Sequence, residues 1–263
     1  MSQVAVVTGG TSGIGRATAL ALKGMGCTVY ELSRRSQGVD GIFHICADVT
    51  KEEQVNAAVE EIIAREGKID ILINNAGFGI SGAVEFTETE AAQRLFDVNF
   101  FGMVRMNHAV LPHMRKAGKG RIVNLSSVAA PVPIPFQAYY SCSKAAVNDY
   151  TLALANEVRP FDIQVCCVQP GDIHTGFTAA REKFVQGDDV YGGRISRSVS
   201  TMEHDEQTGM SPEQAGRYVA RIATRPLLRP INTIGFAYKC ATLVPKLLPA
   251  RFYNWLIGKI YAK

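Results

Sequence analysis

Short apolar runs alternate along this chain with longer segments in which apolar residues recur every three or four positions. The first pattern is typical of buried strands and the second of amphipathic helices. Predicted strands cover residues 4–7, 27–32, 42–46, 69–73, 121–125 and 163–168. Predicted helices include residues 17–25, 52–64, 88–114 and 137–158. This alternation predicts an α/β fold, a doubly wound (Rossmann) parallel sheet with helices on both faces.

The chain of 263 residues fits one large α/β domain, residues 1–263, because no repeat or linker divides it. Residues 172–212 depart from the pattern, since Gly and Ser are frequent there, charges are mixed and apolar periodicity is poor. They follow the carboxyl end of a strand, where open α/β sheets bind ligands. We therefore expect an irregular loop that covers the substrate.

A basic and apolar C-terminal helical extension is predicted at residues 236–263. Glu213 is the last acidic residue, and the 50 residues after it contain nine Lys or Arg. We expect Pro245 and Pro249 to divide the extension into short helices. Two interpretations are open: an interfacial segment in peripheral contact with an anionic membrane, or a helix packed over the substrate site or a subunit interface.

Composition argues against several other classes of protein. With 47% hydrophobic and 20% charged residues, the chain can build a substantial core. No basic segment leads into a signal-peptide core, and no apolar run approaches the ~18 residues of a membrane span. The six cysteines form no Cys-x-x-Cys pair, and the five histidines lack metal-ligand spacing. We expect reduced thiols, a cytoplasmic location, no metal and, without a recognisable module, no nucleic-acid binding.

A glycine-rich turn between the first strand and the first helix predicts a phosphate-binding site. It reads Thr8-Gly9-Gly10-Thr11-Ser12-Gly13-Ile14-Gly15. Glycines let the backbone approach a pyrophosphate closely, and the N-terminus of a helix offers it free N–H groups. Strand, turn and helix follow one another in the order that a dinucleotide site requires.

The end of the second predicted strand favours NADP(H) over NAD(H). An NAD-binding unit usually has Asp or Glu here, which bonds the ribose 2′-hydroxyl. This chain has Ser33 instead, followed by Arg34 and Arg35. A carboxylate would repel a 2′-phosphate, whereas a hydroxyl and guanidinium groups would bind it. The alternative is a solvated turn whose arginines bind no ligand.

Tyr140 and Lys144 are four residues apart in the helix predicted at residues 137–158, so they lie on one face of it. A nearby ammonium favours the phenolate, and we expect the pKa of Tyr140 to fall below its ordinary value of about 10. A phenol tuned in this way can exchange a proton with an alcohol or carbonyl oxygen. The pair is therefore a candidate acid/base site.

Together these motifs resemble the short-chain dehydrogenase/reductase (SDR) family, from Val4 to about Ile234. The matching segments are Thr8-Gly9-x-x-x-Gly13-x-Gly15, Asp48-Val49, Asn74-Asn75-Ala76-Gly77, Asn99, Ser126-Ser127, Tyr140-x-x-x-Lys144, Pro170-Gly171 and Thr175. Runs such as Asp97-Val98-Asn99 and His174-Thr175-x-Phe177 are similar to the hydroxysteroid and retinol dehydrogenase branch. The resemblance implies a homodimer or homotetramer, formed through the helices that carry Asn99 and Tyr140.

The resemblance also implies a role for each matching residue. Tyr140 would be the acid in reduction and the base in oxidation, while Lys144 would lower its pKa and hold the nicotinamide ribose. Ser127, favoured over Ser126 by its spacing from Tyr140, would orient the substrate oxygen, and Asn99 would hold a water of a proton relay. The implied cofactor-binding residues are Gly9, Thr11, Ser12, Gly13, Ile14, Gly15, Ser33, Arg34, Arg35, Asp48, Val49, Asn75, Ala76, Gly77, Tyr140, Lys144, Pro170, Gly171, Ile173 and Thr175. Ser12 stands where some NADP-binding members carry a basic residue.

The leading hypothesis is an NADP(H)-dependent oxidoreductase that interconverts a secondary alcohol and a ketone. Its substrate is expected to be apolar, such as a steroid, retinoid or lipid, because several residues can line a hydrophobic pocket. These residues are 129–136, Phe177, Phe184, Val190, Tyr191 and Met202, and the alternative is that they only pack the loop onto the body. Two further hypotheses are a 3-oxoacyl thioester reductase of lipid synthesis and a non-catalytic NADP(H)-binding redox sensor.

Overall fold

A computed structural model describes residues 2–262 of the chain; Met1 and Lys263, at the ends of the predicted domain and extension, lie outside the described residues. The strands are β1 (Val4–Thr8), β2 (Thr28–Ser33), β3 (Phe43–Cys46), β4 (Ile71–Asn74), β5 (Ile80–Gly82), β6 (Gly120–Leu125), β7 (Ile163–Gln169), β8 (Glu182–Phe184) and β9 (Ile231–Thr233). Seven of them form one parallel sheet in the order β3-β2-β1-β4-β6-β7-β9. The predicted doubly wound parallel sheet is confirmed.

Helices cover both faces of this sheet. They are α1 (Gly13–Gly24), α2 (Glu52–Glu66), α3 (Thr89–Phe96), α4 (Gly102–Ala117), α5 (Ala138–Glu157), α6 (Phe177–Ala180), α7 (Arg194–Gln207), α8 (Pro212–Thr224), α9 (Phe236–Leu247) and α10 (Ala250–Tyr261). On one face, α2, α4 and α5 contribute buried residues such as Ile62 and Met106 to the core. On the other face, α1 and α8 contribute Leu22 and Val219.

The chain order of the sheet reverses at β1, which has β2 on one side and β4 on the other. At such a point the loops after neighbouring strands diverge, so a crevice opens at their carboxyl ends. The glycine-rich turn follows β1 and the segment 75–77 follows β4. The fold therefore places these two predicted cofactor-binding segments beside one crevice.

The long helix predicted at residues 88–114 is interrupted in its middle. Asp97–Phe101 forms a wider π-type turn between α3 and α4, in which the N–H of Gly102 bonds the carbonyl of Asp97. One extra residue in the turn shifts the hydrogen-bond register of the helix, a change found frequently at functional sites. Asn99 lies at the centre of this turn and is buried.

Residues 172–212 are more ordered than the sequence pattern predicts, because they contain α6, β8 and α7. The strand β8 pairs in parallel with β5 and joins the insertion to the body. The helix α7 has a buried apolar stripe formed by Ile195, Val199 and Met202, which are four and three positions apart. The charged residues between them make this periodicity hard to recognise in the sequence. The prediction of an irregular loop is therefore wrong over α7.

The C-terminal extension forms two helices, α9 and α10. Pro249 separates them as predicted, but Pro245 lies inside α9, so the prediction that it would end a helix is wrong. Proline removes the donor to the carbonyl of Ala241, and Ala241 is exposed, so water can satisfy that carbonyl instead. Within residues 2–262, no helix has the length and apolar character needed to cross a membrane.

Candidate active site

A cavity of about 780 Å³ lies at the carboxyl ends of the central strands. The predicted residues that line it are Gly9, Thr11, Ser12, Gly13, Ile14, Ser33, Arg34, Arg35, Asp48, Val49, Asn75, Ala76, Gly77, Ser127, Tyr140, Lys144, Pro170, Gly171, Ile173 and Thr175. Gly15 and Asn99 are buried and do not line it. The structure therefore brings nearly all of the predicted site residues to one cavity.

The glycine-rich loop forms a cradle at one end of this cavity. Gly9 and Gly13 have φ values of 65° and 52°, in the left-handed region that favours glycine. A Cβ on Gly15 would lie 2.3 Å from the Gly9 carbonyl oxygen, so the helix begins tightly against the loop. The Asn75 amide donates to the Thr8 carbonyl at 2.9 Å and ties the loop to the end of β4. This close-packed backbone fits a bound pyrophosphate.

Ser33, at the end of β2, has a buried hydroxyl oxygen to which none of residues 2–262 hydrogen-bonds. Arg34 and Arg35 follow it, are exposed, and line the same end of the cavity. An unsatisfied buried hydroxyl beside two guanidinium groups fits a phosphate monoester better than a bare ribose hydroxyl. These residues could therefore hold the 2′-phosphate of NADP(H).

Glu31 and His44 support this end of the cavity, and the sequence pattern did not predict a role for them. The carboxylate of Glu31 is fully buried and bonded to Nδ1 of His44, whose Nε2 lies 2.9 Å from the Arg35 carbonyl oxygen. The pair thus links β2 to the loop that presents the arginines. A charged residue inside the otherwise apolar run 27–32 was the available signal.

Tyr140 and Lys144 lie on the buried face of α5, with Ser127 close by. The Ser127 hydroxyl lies near the Tyr140 phenol and acts to lower the pKa of that phenol. The Lys144 ammonium nitrogen lies 5.8 Å from the centre of the Tyr140 ring and donates to the Leu125 carbonyl at 2.8 Å. Hydroxyl, phenol and ammonium are thereby held together beside the cavity.

Ser126 and Ser127 differ in what their hydroxyls contact. Ser126 is buried and donates to the Lys144 carbonyl at 3.0 Å, so it fastens α5 to the end of β6. Ser127 accepts a hydrogen bond from the Ala129 N–H at 3.1 Å and retains its proton for donation. This difference agrees with the choice of Ser127, whose role stays a prediction.

The predicted fall in the pKa of Tyr140 is wrong for this structure. Burial raises the pKa of Tyr140 to about 12, although the Ser127 hydroxyl acts in the opposite direction. Burial also lowers the pKa of Lys144 to about 8. Lys144 directs its ammonium at the Leu125 carbonyl, so desolvation of the phenol outweighs the attraction between the two groups. Tyr140 is therefore a protonated phenol at neutral pH.

Asn99 lies behind this group of residues. Its side-chain oxygen accepts from the Phe78 N–H at 3.0 Å, and its amide donates to the Phe78 carbonyl at 2.9 Å. A Cβ on Gly77 would lie 2.9 Å from this oxygen and 3.6 Å from the Lys144 nitrogen. Asn99, Gly77 and Lys144 are therefore neighbours, and the predicted water relay stays a prediction.

Two further predicted cofactor residues make contacts that shape the cavity. Asp48 accepts hydrogen bonds from the N–H and the hydroxyl of Thr50, both at 2.9 Å, at the start of α2. Thr175 lies over Gly13, where an added Cβ would be 3.5 Å from it. Asp48 and Thr175 thus border the cavity from the two sides of the sheet's reversal point.

Beyond Tyr140 the cavity has an apolar wall. It consists of Val128, Ala129, Ile134, Phe177, Ala180 and Met202, and the Phe177 ring lies 5.7 Å from that of Tyr140. Of residues 129–136, only Ala129 and Ile134 line it, and three other residues predicted for this wall do not line it either. Phe184 belongs to the small sheet, Val190 is 72% exposed, and Tyr191 packs against Phe136.

An acidic group faces the same end of the cavity and was missed by the sequence analysis. It consists of Asp172, Asp205 and Glu206, with Tyr261 beside them. Glu206 is paired with the buried Arg181, and Asp172 accepts from the Tyr238 hydroxyl at 2.6 Å. The carboxylate of Asp205 has no side-chain or backbone donor among residues 2–262. Two of the three acids lie on α7, the helix that the sequence pattern did not predict.

Burial raises the pKa of Asp172, although the hydrogen bond from Tyr238 lowers it. The neighbouring charges of Asp205 and Glu206 raise the same pKa further, while Arg181 acts against them. The acidic group therefore carries more negative charge than its one arginine neutralises. No cluster of three or more His, Cys, Asp or Glu within residues 2–262 has an arrangement that could hold a metal ion.

A family model described as short chain dehydrogenase matches residues 3–186. Along the whole chain, similarity extends to a 3-ketodihydrosphingosine reductase from Bacteroides thetaiotaomicron. The two are 44% identical over 258 residues, which cover 97% of this chain and 93% of the relative.

Solved structures share the same architecture. A short-chain dehydrogenase from Streptomyces avermitilis superposes with a TM-score of 0.83 at 30% identity, covering 92% of each chain. A 3-ketoacyl-(acyl-carrier-protein) reductase from Brucella melitensis, in complex with NADH, has a TM-score of 0.75 at 27% identity; the match covers 88% of this chain and 96% of that one.

Replacing Lys144 with Met should change how stability depends on pH. The pKa of Lys144 is lowered from 10.5 to about 8, so between these values the unfolded chain holds a proton that the folded chain has released. Stability from this group therefore rises with pH. Between pH 7 and pH 10, the unfolding free energy of the wild type should gain about 2 kcal/mol relative to Lys144→Met.

Urea unfolding at the two pH values measures this difference, with Lys116→Met as the control at an exposed lysine of α4. The control should follow the wild type. An identical pH dependence for wild type and Lys144→Met would contradict the burial assigned to Lys144.

Proposed function

Because the chain belongs to the short-chain dehydrogenase family, we propose that it is an NADPH-dependent reductase of long-chain amino ketones. One observation carries the proposal: a single cavity contains the glycine-rich cradle, Ser127 with Tyr140 and, beyond them, an apolar wall beside the carboxylate of Asp205. The relative from Bacteroides thetaiotaomicron supports this substrate class. A 3-ketodihydrosphingosine is a long-chain ketone with an amine on the carbon beside its carbonyl.

The residues at the end of β2 support NADPH as the cofactor. The family uses nicotinamide dinucleotides, and the Brucella melitensis neighbour is in complex with NADH, so family membership does not select between the two. In this chain the glycine-rich loop has Ser12 at the position where some NADP-binding members carry a basic residue, so no cation of the loop is available to bind the 2′-phosphate. Selection of the 2′-phosphate would therefore depend on the unsatisfied hydroxyl of Ser33 and the charges of Arg34 and Arg35.

The bound nicotinamide would supply hydride to the carbonyl carbon of the substrate. Ser127 and Tyr140 would both donate hydrogen bonds to the carbonyl oxygen, where negative charge develops in the transition state. Tyr140 would then transfer its proton to that oxygen. Because burial raises the pKa of Tyr140 to about 12, the phenol holds this proton at neutral pH. Its protonation supports reduction over oxidation as the working direction.

Lys144 would return a proton to Tyr140 after each turnover and bind the ribose hydroxyls of the cofactor. Burial lowers its pKa to about 8, so its proton is held less tightly than that of an ordinary lysine. The π-type turn at Asp97–Phe101 gives the backbone around Asn99 an irregular hydrogen-bond register. This supports Asn99 as the residue that holds a water between Lys144 and solvent.

The substrate would lie with its chain against the apolar wall and its amine toward the acids. Asp205 is the natural partner of an ammonium, because no donor in residues 2–262 bonds its carboxylate and Asp172 adds negative charge nearby. The negative charge at this end of the cavity favours a ligand of the opposite sign. A steroid or retinoid would use only the apolar wall and would leave this charge unpaired.

A 3-oxoacyl thioester reductase is the second candidate, because the Brucella melitensis neighbour is a 3-ketoacyl-(acyl-carrier-protein) reductase. The acidic group argues against it, since a phosphorylated carrier would approach negative charge. A redox sensor without turnover would have no use for Ser127, Tyr140 and Lys144 in one cavity.

For assembly we keep the homodimer or homotetramer that the family resemblance implies. Phe101, beside α4, is 48% exposed, and Leu152 on α5 is exposed too, which supports contact through these helices. The cytoplasm is the proposed compartment, because the cysteines are free thiols and Cys27, Cys166 and Cys167 are buried.

Tyr140→Phe should lower the turnover number by at least about 100-fold, because the proton donor is removed. The dissociation constant for NADPH should stay within about two-fold, since the phenol makes little of the cofactor's contact surface. Steady-state assays with a long-chain amino ketone and fluorescence titration with NADPH measure the two effects. Tyr139→Phe, one position earlier in α5, is the control and should stay active. Full turnover by Tyr140→Phe would refute the acid role.

Arg34→Ala should raise the dissociation constant for NADPH by about 10-fold or more, since a charge-assisted bond to phosphate is lost. The constant for NADH, which has no 2′-phosphate, should change little. Titration of both cofactors tests this, with Arg65→Ala as a control at an exposed arginine of α2. An equal effect on the two cofactors would be incompatible with phosphate selection at the end of β2.

Asp205→Asn should raise KM for a long-chain amino ketone by about 10-fold and leave KM for the uncharged ketone of equal length unchanged. The expected difference arises because only the first substrate carries an ammonium. Asp189→Asn, an exposed acid of the same insertion, is the matched control. If KM for both ketones rose together, Asp205 would have a structural role and the amine would be bound elsewhere.

A further inference from the structure

We propose that α9 and α10, residues 236–261, form a docking surface for an anionic lipid bilayer. We call this pair of helices the C-terminal hairpin. The inference goes beyond the proposed catalysis, because it concerns where the protein collects its substrate and not how it reduces it. It depends on three features of the hairpin. Each helix has an exposed apolar face, cations without a paired carboxylate in residues 2–262 lie beside these faces, and the inner face is packed against the rest of the protein.

The exposed face of α9 follows the helical repeat. Phe236, Leu243 and Leu247 are spaced seven and four positions apart, so their side chains lie on one side of the helix. Phe236 and Leu247 are 83% and 77% exposed. Thr242, by contrast, is buried on the side that faces the body. A row of large apolar side chains therefore points away from the protein.

The outer face of α10 adds aromatic rings. Phe252 and Trp255 are both about half exposed, and their rings stack with centroids 5.8 Å apart. Lys259, one turn further along, has its ammonium 5.8 Å from the centre of the Trp255 ring. Aromatic rings flanked by lysine are the groups that favour the boundary between lipid headgroups and acyl chains.

The inner face of α10 is already occupied by the protein body. Tyr253 and Ile257 are buried, and the Tyr253 hydroxyl donates to the Pro131 carbonyl at 3.3 Å. Tyr261 lines the catalytic cavity. The outer apolar face is therefore a second face of a helix that is already packed, and this helix also contributes Tyr261 to the cavity.

The positive charge of the hairpin favours an anionic bilayer as its partner. Lys239, Lys246, Arg251 and Lys259 are exposed, and no ion pair joins any of them to a carboxylate within residues 2–262. The hairpin sequence itself contains no Asp or Glu. A second copy of this face would bring like charges together in a symmetric contact, whereas an anionic bilayer offers the opposite charge.

The helices of the hairpin are too short to span a bilayer, so we expect them to lie on its surface. Each helix has 12 residues, roughly 18 Å in length, against a hydrocarbon core of about 30 Å. Helices of this length bind by placing the apolar face at the interface and the cations at the headgroups. The hairpin would then hold the cavity that Tyr261 lines next to the layer in which a long-chain substrate is dissolved.

Trp255 allows a direct test, because it is the only tryptophan of the chain. The full-length protein is mixed with phosphatidylcholine vesicles that contain either no or about 30 mol% phosphatidylglycerol. We expect co-sedimentation and a blue shift of the tryptophan emission with the anionic vesicles alone. Binding should weaken as salt is raised, since the attraction to headgroups is screened. This test requires no turnover, so it is independent of the proposed reaction.

Two double variants with the same change in net charge separate the hairpin from general electrostatics. Lys239→Glu with Lys246→Glu should weaken vesicle binding by roughly five-fold or more for each charge reversed. Lys116→Glu with Lys119→Glu, at exposed lysines near the end of α4, should bind like the wild type. Equal losses in both variants, or no binding by the wild type, would overturn the proposal. A blue shift that grows with protein concentration without lipid would instead assign the face to a second copy.

Discussion

The burial of Tyr140 and Lys144 against the end of β6 is the constraint on which the chemistry of this protein depends. Lys144 donates to the Leu125 carbonyl at 2.8 Å, and Ser126 donates back to the Lys144 carbonyl at 3.0 Å. These two bonds fix the helix α5 at the carboxyl end of β6. The same burial raises the pKa of Tyr140 to about 12, so the geometry that positions the phenol also keeps it protonated.

Local patterns in the sequence were sufficient to predict the sheet and most of the residues that line the cavity. Three motifs are each defined by residues only a few positions apart, so their spacing can be recognised without a structure. They are the turn 8–15, the residues after β4 and the Tyr140–Lys144 pair. Features that depend on contacts between distant segments could not be predicted from these local patterns. The direction of the pKa shift at Tyr140 depends on how deeply α5 is buried, which no spacing of residues within that helix reveals.

The substrate end was the least predictable part, for a related reason. Asp205 and Glu206 lie on α7, whose buried stripe is diluted by charged neighbours. They face the cavity only because β8 pairs with β5 and folds the insertion back over the body. The short strands β5, β8 and β9, each of three residues, are likewise stabilised by pairing and not by their own composition.

The catalytic cavity and the C-terminal hairpin are parts of one arrangement. Tyr238 of α9 bonds Asp172, its ring packs against Gly171, and Tyr261 of α10 lines the cavity. One side of the hairpin therefore shapes the proposed substrate site while the other exposes aromatic and basic residues. A lipid-borne amino ketone is a substrate whose properties match both sides. The direct measurement is single turnover with NADPH dideuterated at C4 of the nicotinamide and a long-chain 3-keto amino alcohol, followed by mass spectrometry. One deuterium should be found on the new carbinol carbon and one should remain on C4 of the oxidised cofactor; an unlabelled alcohol would contradict hydride transfer from the cofactor to the substrate carbonyl.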